Sequence, residues 1–393
     1  MKTIAVIGGS LAGLSAARAL RSQEFDGRLI VVSAEHHRPY DRPPLSKTFL
    51  AGTADEADIA LESEDEDLDA DWRFGVSASA LDPSGRVIEL TDGTALVADG
   101  VVLATGASPR TLRGSSQLAR VHVLRTLDDA RALRADLTSS ARLVVVGAGF
   151  IGAEVASTAR GLGLDVTVIE AAPSPLAGPL GAEMGAVVSS LHSDHGVKLL
   201  CGVGVNGLTG TDRVTGVELA DGRVIEADVV LMGVGVRPNT EWLAGSGLDA
   251  GNGVVCNAYG ATELDNVVAV GDCATWYDPS LGAHHRLEHW TGARERGAIA
   301  AATLLSGGTD FRTGRSPYFW SDQYGLTIQL AGHVRDADSV VVEEGSTADR
   351  DFLAVYRHRS DPVAVLAIGH GKSFMRWRRQ LATATTITAA RQE

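Results

Sequence analysis

The residues that could do chemistry gather around two glycine-rich hexapeptides. Gly8-Gly9-Ser10-Leu11-Ala12-Gly13 and Gly147-Ala148-Gly149-Phe150-Ile151-Gly152 each follow a short apolar run, Ile4 to Ile7 and Leu143 to Val146. Each then opens a segment rich in Ala, Leu and Arg or Glu. A buried strand, a tight turn and a helix N-terminus make a dinucleotide cradle. The first glycine turns the chain, the second lets the backbone approach a pyrophosphate, and the third lets helix and strand pack closely. Free amides at the helix start then face the phosphates. Ser10 replaces the middle glycine of the first hexapeptide, so a small hydroxyl has to fit beside phosphate. Two cradles in one chain imply two dinucleotides, and electrons passed between them.

Glu170 stands 18 residues beyond Gly152 (152 to 170), at the end of the next predicted strand. A carboxylate there hydrogen-bonds a ribose 2′-hydroxyl and repels a 2′-phosphate. No Arg follows in Ala171-Ala172-Pro173, so NADH is favoured over NADPH. Glu35 holds a comparable place after strand Arg28 to Ser33.

Other residues admit two readings each. Lys47 is either a surface lysine or one held in place by the rigid Pro43-Pro44 before it. If held and buried it needs a counter-charge, and Glu154, on the helix of the second fingerprint, is the candidate. Gly271-Asp272 is either a simple turn or, in a flavin context, an acceptor for a ribityl hydroxyl. Trp290 and Trp320 are either core aromatics or contacts of a ring system. His284, His285 and His289, and His192 with His195, invite a metal. They lack companion ligands at settled spacing and any His-Glu-x-x-His, so no metal site is expected. There is no Gly-x-Ser-x-Gly of a serine hydrolase.

These residues need two or three domains to position them, as 393 residues exceed one ordinary core. The first unit runs strand, turn, helix (about Ser10 to Arg21), strand. A Pro-rich stretch, Arg38 to Lys47, follows and cannot be regular helix or strand. The acidic segment Asp55 to Asp71 reads as solvated surface. A hairpin is predicted at Arg86 to Val97 around Asp92-Gly93, then a buried strand ending in Ala104-Thr105-Gly106. The second unit repeats this order through Glu170, a hairpin at Asp221-Gly222, strand Asp228 to Met232 and Gly233-Val234-Gly235-Val236-Arg237-Pro238. The offset is near 135 residues, an internal repeat. Val267 to Ala274 adds a strand and turn. From about Ser316 short strands with charged turns predict a third, α+β domain, closed by Gly371 to Arg379 with Lys372, Arg376, Arg378 and Arg379 around Phe374 and Trp377.

The formal charge of −14 argues against nucleic acid or an anionic membrane as partner. No apolar run approaches a membrane span, and the first strand starts so near Met1 that no signal peptide is expected. Cys201, Cys256 and Cys273 form no Cys-x-x-Cys, which fits a reducing cytoplasm.

Taken together, Arg-Pro-Tyr-Asp-Arg-Pro-Pro-Leu-Ser-Lys (38–47), Ala-Thr-Gly-Ala-Ser-Pro-Arg (104–110), Leu-Arg-Thr-Leu-Asp-Asp-Ala (124–130), Gly-Ala-Gly-Phe-Ile-Gly-Ala-Glu (147–154), Val-Gly-Asp-Cys-Ala (270–274) and Tyr-Phe-Trp-Ser-Asp-Gln-Tyr (318–324) resemble the FAD-dependent NADH:ferredoxin reductases of oxygenase systems. The likeness covers nearly the whole chain, and the Pro-Pro-Leu-Ser-Lys and Phe-Trp-Ser-Asp elements are its most specific parts.

The resemblance implies an α/β fold of two Rossmann-like dinucleotide-binding domains, glutathione-reductase-like, plus a C-terminal α+β domain. FAD would lie on residues 1–110 and 248–315, NADH on 111–247, and residues 316–393 would help cover the flavin. By position, Gly8, Ala12, Gly13, Glu35, Arg42, Lys47, Val76, Ala104, Thr105, Gly106, Arg125, Asp272 and Trp290 would contact FAD. Gly147, Gly149, Phe150, Ile151, Gly152, Glu154, Glu170 and Gly235 would form the NADH side, with Trp320 near the isoalloxazine. Lys47 and Glu154 would carry the catalytic electrostatics. Ala34 stands where many relatives have an acid, so Glu35 would serve the FAD ribose instead. An acidic iron–sulfur ferredoxin would dock transiently at a basic patch from Arg286, Arg294, Arg296, Arg335 and residues 372–379, on a monomer or homodimer. Two other readings share the fold. One is an NADH oxidase or quinone-type reductase acting on small acceptors; the other is an NADH-sensing flavoprotein like the apoptosis-inducing factors.

Overall fold

Each fingerprint strand lies in the middle of a parallel sheet. The computed structural model describes residues 1–112, 114, 117–138, 140–279, 281–307, 317–335 and 337–389. In the first sheet Thr3–Ile7 is flanked by Arg28–Ser33 and Gly100–Leu103, with Ala70–Phe74 and Val267–Ala269 at the edges. In the second, Arg142–Val146 is flanked by Asp165–Glu170 and Val229–Met232, with Lys198–Cys201 and Val121–His122 outside. Strands covered on both faces need unbroken apolar runs. Ile4 to Val6 and Leu143 to Val145 supply them and are almost wholly buried. The repeat read from the sequence is thus two sheets of like topology.

The fingerprint turns are glycine for a steric reason. Gly8 has φ +121°, and a Cβ there would lie 2.0 Å from the Ala104 carbonyl oxygen. Gly147 has φ +102°, with the Gly233 carbonyl oxygen at 2.3 Å. Only glycine accepts both conditions. Each turn therefore sits against the strand end that the second half of its unit brings in. Helices Leu11–Ser22 and Phe150–Gly161 begin directly after the turns.

Antiparallel hairpins fall where expected, Val87–Leu90 with Ala95–Val97 and Val214–Leu219 with Val224–Glu226. The Pro-rich stretch holds a single 3₁₀ turn, Pro43–Ser46, with proline at its start, where a missing N–H costs nothing. The acidic segment is mostly exposed, as expected, and its two half-buried carboxylates are paired. Glu66 accepts two bonds from Arg18, and Glu62 pairs with Arg38. Burial raises the Glu62 carboxyl above its ordinary value.

The third unit is a five-stranded antiparallel sheet in the order Tyr318–Gln323, Leu326–Gly332, Asp361–Ile368, Asp351–His358, Ser339–Ser346. Helix Gly371–Ala389 packs on it through the fully buried Phe374. The expected boundary at 315/316 lies outside the described residues. This sheet shares a core with the second unit: Leu180, Met184 and Leu191 pack with Phe352, Leu366 and Ile328.

His192 sits at that junction, 2% exposed, its Nδ1 2.7 Å from the Tyr324 hydroxyl. Burial, helped by His195, pushes its pKa down to about 4. The unfolded chain binds a proton at about 6.5, so the contribution is complete above pH 6.5 and is lost as pH falls toward 4. Roughly 3 kcal/mol is at stake. Thermal unfolding across that window should show a steep acid fall in wild type and a shallower one in His192→Gln. Equal slopes would remove this account.

Candidate functional site

Three helices aim their N-termini at one cleft. Leu11 and Ala12 open the first, Phe150 and Ile151 the second, and Trp290 and Ala293 begin helix Trp290–Ser306; all six line the cleft. Their caps, Ser10, Gly149 and His289, make no side-chain capping bond. Free amides and the positive ends of the helix dipoles are therefore available to an anion. The cleft holds about 1160 Å³, its open mouth included.

Lys47 and Glu154 meet at its wall. Lys47 Nζ lies 2.8 Å from Glu154 Oε2 and also donates to the Pro43 carbonyl at 3.0 Å. Ser46 Oγ donates to Oε2 at 2.6 Å, and Ser321 Oγ donates to Oε1 at 2.6 Å. Gln323 Nε2 in turn donates to Ser321 Oγ at 3.1 Å. A carboxylate 5% exposed is thus ionically paired and bonded at both oxygens, the arrangement a buried charge requires. Ser321 belongs to the third unit, so all three units meet at this pair.

Elsewhere in the lining, Asp272 Oδ2 accepts from Arg125 Nη2 at 2.7 Å. Arg42 donates to Glu35 Oε1 at 2.6 Å, to Ser10 Oγ at 3.2 Å and to the Arg125 carbonyl. Tyr40 also donates to Glu35. Trp290 Nε1 donates to Asp41 Oδ1 at 2.6 Å, and burial raises the Asp41 carboxyl. Trp290 and Trp320 meet edge to face at 5.8 Å. Glu170 accepts from the amides of Ala148 at 2.9 Å and Ala172 at 2.8 Å, which pins its carboxylate beside the second fingerprint turn.

Of the residues named from the sequence, Ala12, Arg42, Lys47, Ala104, Gly106, Arg125, Phe150, Ile151, Glu154, Asp272, Trp290 and Trp320 line the cleft. Glu35 lines a smaller cavity next to it, with Gly9, Ser33 and Tyr40. Gly8, Gly13, Gly147, Gly149 and Gly152 shape the turns, and Thr105 donates to the Asn239 carbonyl. Val76 packs against the core of the first sheet, and the Gly235 carbonyl accepts the Arg110 amide; neither lines the cleft. Sequence reasoning did not single out Asp41, Ser46 or Ser321, and considered His289 only as a metal ligand. Asp41 and Ser46 stood inside the quoted 38–47 motif and Ser321 inside the quoted 318–324 motif.

The basic patch needs correction. Arg286 is largely covered and pairs with Glu288. Arg296 is half-buried over the Trp276 ring, and burial lowers its pKa. Neither presents a free surface charge. Arg294, Arg335, Lys372, Arg376 and Arg379 are exposed, with Arg376 paired to Glu344, while Arg378 is partly covered over the Tyr318 ring.

The donor set suits a flavin dinucleotide. The buried His289 Nδ1 has no hydrogen-bond partner, and at the second fingerprint a Cβ on Gly149 would meet nothing within 4 Å, which leaves room there for the other dinucleotide. Aromatic walls, helix N-termini and a charged floor occur together. Among the described residues no cluster of His, Cys, Asp or Glu could hold a metal. No cysteine lines the cleft; Cys256 and Cys273 are buried, and Cys201 is exposed elsewhere.

This fold and site define a two-dinucleotide flavoprotein oxidoreductase. The family model for pyridine nucleotide-disulphide oxidoreductases matches residues 2–297, and that for the reductase C-terminal domain matches 318–392. Rhodocoxin reductase of Rhodococcus erythropolis is 38% identical over 98% of this chain and 91% of that protein. The ferredoxin--NAD(+) reductase component of the biphenyl dioxygenase system of Paraburkholderia xenovorans is 35% identical over 98% and 95%. The fold matches putidaredoxin reductase, solved in covalent complex with putidaredoxin, with TM-score 0.93 at 32% identity, covering 97% of this chain and 93% of that one. The chain belongs to the pyridine nucleotide-disulphide oxidoreductase family, among its ferredoxin reductases. It is an enzyme that uses FAD and NAD(H).

Proposed function

We propose that this protein takes hydride from NADH and delivers single electrons to an iron–sulfur ferredoxin serving an oxygenase, of P450 or ring-hydroxylating type. One observation carries this reading. The cleft has a fixed Lys47–Glu154 ion pair at its wall and no cysteine in its lining to receive an electron pair.

FAD, when bound, supplies the redox chemistry, accepting two electrons with a hydride and releasing them singly. Residues 1–110 and 248–315 hold it in this reading, and 111–247 hold NADH. Ala12, Arg42, Arg125, Asp272 and Trp290 grip and orient the flavin dinucleotide, and Trp320 closes the cleft from residues 316–393. Gly149, Phe150 and Ile151 present amides to the NADH phosphates. Glu170 selects the unphosphorylated ribose. The Lys47 ammonium stabilises negative charge that builds up in the cleft. Glu154 fixes that ammonium and balances it at rest. Both keep their roles without taking or giving a proton.

An acidic ferredoxin docks at the exposed Arg294, Arg335, Lys372, Arg376 and Arg379. None of the described helices is long and apolar enough to cross a membrane. The cysteine usage supports a cytoplasmic setting. Cytochrome reduction with NADH should need added ferredoxin, and its rate should fall roughly tenfold from ~0.05 to ~0.5 M salt. Equal cytochrome reduction without ferredoxin would favour a reductase of small acceptors.

A further inference from the structure

NADH oxidation yields two electrons and one proton, and a ferredoxin takes only electrons. When two electrons have left for two acceptors, one proton per turnover remains in the cleft. We propose that His289, His285 and His333 form the exit by which that proton reaches the surface. This inference rests on the reading that the cleft holds FAD that NADH reduces.

Three observations support it. His289 lines the cleft, and its Nδ1 is buried without a hydrogen-bond partner. His285, at the end of strand Ala283–His285, has a second buried Nδ1 without a partner. Its ring lies 5.7 Å from that of His333, tilted by 53°. His333, from the third unit, places Nε2 3.4 Å from Asp278 Oδ2, both side chains partly exposed. The order is cleft, two half-buried imidazoles whose Nδ1 atoms are covered, then an imidazole beside a carboxylate. His289 and His285 lie close enough for the charge of one to act on the other, and a buried ring nitrogen calls for a proton donor or acceptor.

Imidazole suits the task, since one ring nitrogen can accept a proton while the other gives one up. Burial pushes the His289 pKa down to about 4 and lowers that of His285, so neither stores the proton it receives. The charged groups around them are mixed. Asp272 draws a proton toward His289 while Arg296 and His333 repel it. Asp278 draws one toward His285 while Arg296 and Arg335 repel it. Arg286 and Glu288, on the intervening loop, are paired with each other. In the relay a ring nitrogen of His289 takes the proton from the cleft, His285 passes one on, and His333 releases one to water beside Asp278. No electron moves along this route.

The test follows proton appearance with a pH indicator in weak buffer. NADH-reduced holoenzyme is mixed with ferricyanide, whose reduction consumes no proton. In wild type the proton should appear in step with the return of flavin absorbance. In His285→Phe it should lag at least tenfold, and added imidazole should restore it in His285→Gly. Proton release in His285→Phe as fast as in wild type would overturn the proposal. If NADH fails to bleach wild-type protein, the underlying reading has failed instead. Flavin-free protein gives a second readout through ring-nitrogen chemical shifts. Replacing His333 with Phe should raise the His285 titration, because a repelling neighbour is lost. An unmoved His285 titration would overturn the contact on which the relay depends.

Discussion

Glu154→Gln and Lys47→Met should each slow turnover by roughly 10²- to 10³-fold, the cost typical of losing one preorganised charge partner in a dry site. They should do so at opposite ends of the reaction. Lys47→Met leaves the Glu154 carboxylate beside the cleft, still bonded by Ser46 and Ser321. That uncompensated negative charge opposes arriving hydride, so the reductive half-reaction slows and the midpoint potential falls. Glu154→Gln removes the charge partner of the Lys47 ammonium, which keeps its bond to the Pro43 carbonyl. The excess positive charge holds electrons back, so the potential rises and reoxidation slows. For a two-electron couple each ~30 mV corresponds to tenfold in equilibrium constant. Stopped-flow reduction, stopped-flow reoxidation and potentiometry read the three effects separately. Shifts of the same sign in both variants would contradict the assignment.

Glu170→Ala should raise NADPH efficiency relative to NADH by about 10- to 100-fold, since a hydrogen bond to a charged group is worth ~1.5–3 kcal/mol. The carboxylate is held by two backbone amides, Ala148 and Ala172. It cannot swing away from a 2′-phosphate without giving up the amide of the buried Ala148. Repulsion is thus built into the backbone rather than left to a mobile side chain. The ratio of kcat/KM values for the two nucleotides is the measurement, and an unchanged ratio would transfer specificity to another group.

Much of this was legible in the sequence because the signals are local. Gly8 and Gly147 announce turns that only glycine can make, and buried parallel strands announce themselves as apolar runs. Pairing of Lys47 with Glu154 could be anticipated, as a lysine held by two prolines needs a counter-charge. The rest depended on contacts across the chain. Ser321 reaches Glu154 across 167 residues and Trp290 reaches Asp41 across 249; the quoted motifs contain Ser321 and Asp41, but a motif does not state which distant side chain each one bonds. Arg286 and Arg296 read as surface charge because the composition is silent on which side of a helix or loop faces Trp276 or Glu288. His289 was weighed as a metal ligand, when its buried ring at a helix start matters as a wall of the cleft.

The most direct measurement is an anaerobic titration of the purified protein with NADH, followed by oxidised ferredoxin. The account predicts a bound flavin spectrum bleached by one NADH per chain and restored by two ferredoxins, with no thiol released or consumed. A protein that folds without flavin and cannot be reconstituted with it, or one that returns its electrons only as pairs to a disulfide, would contradict it.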